Sequence, residues 1–317
     1  MIDRAIALEA LGALSDCTVT SVQQQRSQHG FSSFTAAAAG VELSTKRLIP
    51  TVMRADLSRV ESRRILYNIV QDGGRQAASG ALPNILTNDG LLAAGGAFGN
   101  IAQGGPQLNL LDLRGVSGAA EAGKLQLRLL VDEEEFFDPR FDYDFTNLTD
   151  SRTYWRGEEK YERPCGYQRF ALKVLDKYDD GNTWLGNQLR STESVPGEWP
   201  VSYHGTTVEG AEGIIEERYK PGSRMAYGRG VYSTPDISVA DEYAVTFMSK
   251  RDNKNYKVIL QNRINPEERK ICSYDKYWLI PIPQSTSAEE EQKIIERAIR
   301  PYGLLIKEEG PSSCTIL

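Results

Sequence analysis

The chain is short of the residues on which much enzyme chemistry depends. It has 317 residues but only 2 His and 4 Cys. Two histidines leave little room for His-based metal sites or catalytic triads, and no HExxH, Walker A or GxSxG pattern occurs. Cys17, Cys165, Cys272 and Cys314 lie far apart with no CxxC pair. That predicts free thiols in a reducing compartment, not a disulfide scaffold or a zinc site. No apolar run has the length of a membrane span; the richest stretch, Leu91 to Ile101, is diluted by Gly and Ala. Asp3, Arg4 and Glu9 fall where a secretory signal would need its apolar segment, so an intracellular, cytoplasmic protein is expected. Positive charge is also in deficit, 37 Lys+Arg against 43 Asp+Glu, net −6. An acidic chain is a poor default binder of nucleic acid, because that affinity rests on neutralising phosphates. A hydrophobic share of 40% with 25% charged residues is a globular composition. The length allows about two domains and a sizeable core.

The residues that are present are unevenly spread. Up to Leu130 there are 12 Lys+Arg and 10 Asp+Glu; beyond it there are 25 and 33. The first part is rich in Ala and Gly, as in Thr35–Gly40 and Ala93–Gly105. It offers one good helix, Met53 to Val70, and one alternating strand, Lys124 to Val131. Residues 1–130 therefore read as a separate or accessory region for targeting or regulation. An acidic, aromatic stretch from Asp132 to Phe145 follows, so 131–150 reads as a linker with a solvated face or as the start of the next module. From there the texture changes to short strands with turn signals. Strands are expected at Tyr167–Val174, Trp199–His204, Gly230–Ser233, Tyr256–Arg263, Trp278–Ile282 and Tyr302–Lys307, with a turn at Asp179–Asn182. Helices are expected at Thr207–Arg218 and from an Asp236 cap to about Phe247. The connections are too short for crossover units, which predicts an α+β class with mostly antiparallel sheets.

The informative segment runs from Tyr203 to Phe247. His204-Gly205-Thr206 stands at a strand end, Tyr227 to Tyr232 carries a Gly-x-Gly, and Tyr243 lies in the following helix. A His and two Tyr placed so can surround a flat aromatic ligand, with Gly205 letting backbone approach a carboxamide. These residues resemble the ADP-ribosyltransferase superfamily, in its poly(ADP-ribose) polymerase-like branch. The His-Gly-Thr strand, Gly228-Arg229-Gly230-Val231-Tyr232, and a second Tyr eleven residues after the first all match in order and spacing. A longer pattern resembles a less studied subgroup of that branch: Tyr161–Val174, Trp184–Gly186, Glu198–Thr206, Tyr256–Pro266, Tyr277-Trp278 and Arg300–Gly303. The likeness spans roughly Phe137 to Lys307 and leaves residues 1–130 untouched.

The resemblance implies a split antiparallel β-sandwich with flanking helices over 151–310, and NAD+ as donor substrate. His204 would bond the adenosine ribose. The Gly205 backbone would hold the carboxamide, Thr206 would belong to the cofactor-binding set, and Tyr232 and Tyr243 would sandwich the nicotinamide. The chemistry implied is cleavage of the nicotinamide–ribose bond through an oxocarbenium-like state, akin in charge to glycoside hydrolysis. Two positions depart from the pattern. Ala240 stands where a Ser would contact the carboxamide. Lys276 stands where a Glu would bond the ribose, and a Lys cannot accept a hydrogen bond. In a shifted register Tyr277 takes that place, with Asp275 reaching in. Chain elongation is not expected in either register. Transfer of one ADP-ribose to a protein acceptor, or NAD+ hydrolysis, stays open. So does an inactive fold serving as an NAD+-binding or interaction module. An RNA-directed NAD+-using transferase is disfavoured by the acidic balance and the tyrosine pair.

Three further features stand outside this core. Ser285-Thr286-Ser287 with Glu289 and Glu291 resembles elements of the arginine-modifying toxin branch, but Ser287 and Glu290 read better as a capping box. Glu289 and Glu291 are the candidates for an acceptor-side groove. Trp155, Trp184, Trp199 and Trp278 read as core, and Arg156 and Arg163 as structural rather than phosphate-binding. The final Cys314-Thr315-Ile316-Leu317 fits a prenylation pattern in which Leu favours geranylgeranyl, in a tail of 311–317. One such chain anchors weakly, so membrane attachment through Cys314 would need a second contact.

Overall fold

The computed structural model describes residues 2–24, 40–56, 128–187, 191–205, 228–272 and 277–310. In chain order the elements are α1 (Arg4–Ser15), β1 (Thr18–Ser21), β2 (Val41–Glu42), β3 (Arg128–Val131), α2 (Glu133–Phe136), β4 (Tyr143–Asp144), β5 (Tyr154–Arg156), β6 (Glu159–Tyr161), β7 (Gln168–Ala171), β8 (Val201–His204), β9 (Gly230–Ser233), α3 (Ile237–Glu242), β10 (Val245–Met248), β11 (Asn255–Ile264), β12 (Lys270–Cys272), β13 (Tyr277–Pro281), α4 (Ala288–Ala298) and β14 (Ile299–Glu308). Residues 45–56 are also helical. The class is α+β, and three of the four sheets among the described residues are antiparallel.

The longest strands lie where the sequence is richest in β-branched and aliphatic residues. β11 and β14 pair antiparallel from Tyr256↔Glu308 to Ile264↔Ile299, with a bulge between Gln261 and Asn262. Both faces of this pair are covered. Val258, Leu260, Leu304 and Ile306 enter one apolar cluster, and Ile259 and Leu305 enter a second. β7 and then β4 extend the sheet beyond β14. On its other edge, β11 pairs β10 along its first half and β8 along its second. A smaller antiparallel sheet runs β12–β13–β9. The two sheets are stitched where Tyr203 of β8 and Thr234 exchange backbone bonds of 2.7 and 2.9 Å. β8 therefore ends at the seam between the sheets. Gly230 makes the smaller sheet tight: a Cβ there would lie 2.0 Å from the Ile280 carbonyl oxygen on β13.

The N-terminal residues build on the same core. β1, β3 and β2 form a parallel sheet, the one departure from the antiparallel expectation; the long sequence separations between these strands leave room for crossovers. α1 is capped by Asp3 and buries Ala7, Leu11 and Leu14, one face at helical spacing. Leu48, Ile49 and Val52 of the 45–56 segment are buried in the same cluster as Leu304 and Trp278. The acidic stretch 132–145 is not a uniformly solvated run, because Phe136, Phe137 and Phe145 are buried between the acids. Trp184 and Trp278 are buried, whereas Trp155 corrects the core expectation at 40% exposed. It sits on the two-stranded β5–β6 ribbon, outside both sheets. α3 stops at Glu242, short of the expected Phe247, since Val245, Thr246 and Phe247 pair with β11 instead. Among the described residues no helix is long and apolar enough to cross a membrane. Thr206, Lys276, Cys314, the expected helix over 207–218 and residues 57–70 lie outside the described residues.

Candidate functional site

The site residues gather at the seam. Alternation along β8 turns Tyr203 into the core, where its hydroxyl donates to the Glu162 carbonyl at 2.5 Å. His204 then falls on the opposite face. Its Nδ1 lies 2.6 Å from the Tyr232 carbonyl oxygen on β9. A carbonyl only accepts, so Nδ1 carries a proton. Its Nε2 lies 3.3 Å from Oδ2 of Asp56, at the end of the 45–56 segment. Both ring nitrogens thus face acceptors, which suits the doubly protonated imidazolium. Burial pulls the imidazole pKa down, but the Asp56 carboxylate and the Tyr232 carbonyl together outweigh it, leaving the net shift upward.

Gly205 continues the strand into a close backbone contact. A Cβ at this position would lie 2.6 Å from the Ala240 carbonyl oxygen and 2.7 Å from the Tyr243 carbonyl carbon and oxygen. Only glycine brings the strand so near the turn at the end of α3. Tyr243 caps that helix, and its hydroxyl lies 3.1 Å from the Tyr277 hydroxyl at the start of β13. Tyr232 sits beside Leu279 of β13 and donates its hydroxyl to the Gly228 carbonyl at 2.6 Å. Tyr232, Tyr243 and Tyr277 are each half-buried. His204, Gly205, Tyr232, Ala240, Tyr243 and Tyr277 are linked by these contacts although they come from four separate stretches of chain.

Two charged clusters hold this arrangement. Asp241 of α3 accepts from Lys257 at 2.8 Å, from Lys307 at 2.7 Å and from the Tyr167 hydroxyl. Burial raises its carboxyl pKa, but those three donors overcome it and hold the pKa at about 2. α3 is thereby pinned to β11, to β14 and to Tyr167 just before β7. Arg229, inside the Gly-x-Gly, pairs with Glu291 and donates to the Pro283 carbonyl at 2.7 Å. Glu291 therefore reaches the site loop through Arg229. Glu289 instead pairs with Lys293 at 2.9 Å on the exposed side of α4. Ser287 caps that helix, accepting from the Glu290 amide at 3.2 Å. Arg156 lies 3.4 Å from the buried Glu198, while Arg163 pairs with Asp150 and sits 4.3 Å over the Tyr154 ring.

Asp56 and Asp241 escaped the sequence reading. Asp56 lies 148 positions from His204, and nothing local marks it. For Asp241 the signal was faint: an acid in a short capped helix, with single lysines in two distant strands. Beside the seam a groove of about 270 Å³ is lined by Glu159, Glu162, Pro235, Asp236, Ile271 and Trp278, with Lys160 at its rim. No protein-family model matches the chain, and no curated protein matches it in sequence.

Proposed function

We propose that the chain is an NAD+-dependent mono-ADP-ribosyltransferase that modifies a protein. The observation that carries this reading is the convergence of His204, Gly205, Tyr232, Ala240, Tyr243 and Tyr277 at one seam. Those are the residues that the family pattern picks out in sequence, and spacing alone does not oblige them to meet. Two antiparallel sheets joined at β8 and β9 are also what a split β-sandwich of that superfamily requires.

The residues fit the donor. His204 Nδ1 is fixed by a carbonyl, which leaves Nε2, now against Asp56, as the ring atom that would meet a ribose hydroxyl. The Gly205 backbone, free of a Cβ, is suited to a carboxamide. Tyr232 and Tyr243 offer ring faces to a nicotinamide, and the Tyr277 hydroxyl adjoins Tyr243. Bound NAD+ would supply the ADP-ribosyl group: its nicotinamide–ribose bond breaks, nicotinamide leaves, and a nucleophile of the acceptor bonds the ribose carbon. The chain's part is to orient the ring, exclude water and disperse the developing positive charge. Residues 1–130 would act as a regulatory or targeting region.

Ala240 and Lys276 favour a second reading, an inactive module that binds NAD+ or a partner, since each removes a polar contact that the active branch uses. Incubation with NAD+ and a cell extract separates the two. Free nicotinamide and ADP-ribosylated peptides, both lost in His204→Ala and Tyr232→Ala, are the expected result. Folded protein that releases no nicotinamide would leave the inactive module standing.

A further inference from the structure

The carboxylate at the buried histidine comes from outside the segment that carries the family likeness. Asp56 Oδ2 lies 3.3 Å from His204 Nε2, in a contact whose side chains are 24% and 10% exposed. His204 Nδ1 is already committed to the Tyr232 carbonyl at 2.6 Å. Nε2 is therefore the one ring atom left to meet a ligand, and Asp56 is on it. The segment that carries Asp56 is also held in a defined place. Leu48, Ile49 and Val52 are fully buried one to two turns earlier. Lys46, at the start of the same segment, pairs with Glu296 at 3.2 Å and lies 5.2 Å over the Tyr178 ring. A segment anchored this firmly does not lift off as a body. What can move is the Asp56 side chain at its end, by rotation about its own bonds.

We propose that Asp56 is a resident competitor in the donor site: its carboxylate holds His204 Nε2 until a ribose hydroxyl of the donor takes that atom from it. The proposal rests on the NAD+ reading above. Two features of the chemistry favour competition over assistance. Nε2 carries a single N–H, so a ribose oxygen that accepts it takes it from the Asp56 carboxylate. Its negative charge also opposes a donor that carries a pyrophosphate. The N-terminal region thus sets the affinity of the site through a single side chain. An acceptor or partner that draws Asp56 away would raise donor affinity.

The test uses the full chain and two readouts. In calorimetry, Asp56→Ala binds NAD+ about tenfold tighter than wild type, the equivalent of roughly one charged hydrogen bond no longer displaced. Asp56→Asn, which keeps the size and loses the charge, moves in the same direction and serves if the alanine variant fails to fold. In parallel, diethyl pyrocarbonate modifies His204 several-fold faster in the variants, read by peptide mass spectrometry against His29. NAD+ binding that is unchanged or weaker in both variants overturns the competition. An unchanged rate of His204 modification overturns the contact itself. Faster modification with no NAD+ binding by any of the proteins overturns the proposed function and the competition with it, while leaving Asp56 as the group that covers His204.

Discussion

Gly205 is the residue at which steric demand is sharpest. An added methyl would meet the Ala240 carbonyl oxygen at 2.6 Å and the Tyr243 carbonyl at 2.7 Å, distances real Cβ atoms do not adopt. Both neighbours are backbone at the end of α3, which Asp241 pins to β11, to β14 and to Tyr167. Neither can swing aside as a flexible side chain would. Gly205→Ala therefore forces the strand end and the Tyr243 turn apart. The expected loss is roughly 1–3 kcal/mol, typical of overpacking, read as a lower urea midpoint. A variant of unchanged midpoint would mean that the strand end and turn separate freely, and the site would then lack the rigidity claimed for it. His204 makes a related demand through hydrogen bonds, since its two nitrogens face acceptors from different parts of the chain.

At the scale of elements, α3 is too short to stand alone. It has 6 residues and is held by its Asp236 cap and by Asp241. Asp241→Asn leaves Lys257 and Lys307 facing a neutral amide, at an expected cost of roughly 1.5–3 kcal/mol at neutral pH. The pH dependence has a definite sign. The folded carboxyl pKa is depressed to about 2 from an ordinary 3.8. The ion cluster therefore stabilises the fold fully above about pH 4 and loses that contribution as pH falls toward about 2. The stability gap between wild type and Asp241→Asn should be full at pH 7 and narrow across that window. Urea unfolding at a few pH values checks it; a gap independent of pH would place the effect elsewhere. The longer strands were legible because their signals are local: β11 and β14 carry runs of Val, Ile and Leu, whereas short strands such as β4, β10 and β12 were not foreseen. The overrun of α3 shows the limit. Asp236 announces a helix start clearly, but its end is decided by pairing of Val245–Met248 with β11, a later segment of the chain. The Asp241 cluster, and Asp56 on His204, depend on contacts between distant segments that leave no periodic trace.

For the whole molecule, the Ala/Gly-rich composition and the charge change near 130 predict that the N-terminal residues form a unit of their own. The packing argues for a shared core. Leu11 and Leu14 of α1, Leu48 and Val52 of the 45–56 segment, and Leu304, Trp278 and Trp184 belong to one buried cluster. Polar contacts fasten the same region: Arg4 pairs with Asp142 at 2.6 Å, the Ile2 amide donates to Gln168 at 2.7 Å, and Arg251 pairs with Asp3 at 2.6 Å. Residues that share a close-packed interior unfold together, because removing one face strands the other in water. The tryptophans provide the test, since Trp155, Trp184, Trp199 and Trp278 all lie beyond residue 130. Their fluorescence reports only on the later part of the chain. Leu11→Ala empties a fully buried position, with an expected loss of roughly 2–5 kcal/mol. In a single cooperative unit the tryptophan midpoint in urea falls by the full amount, although the substitution lies well before any tryptophan. An unmoved midpoint would mean that α1 melts independently. His204 would then keep its Asp56 partner only while a separate, weaker module stays docked, and donor affinity would follow the stability of that module rather than the rotation of one carboxylate.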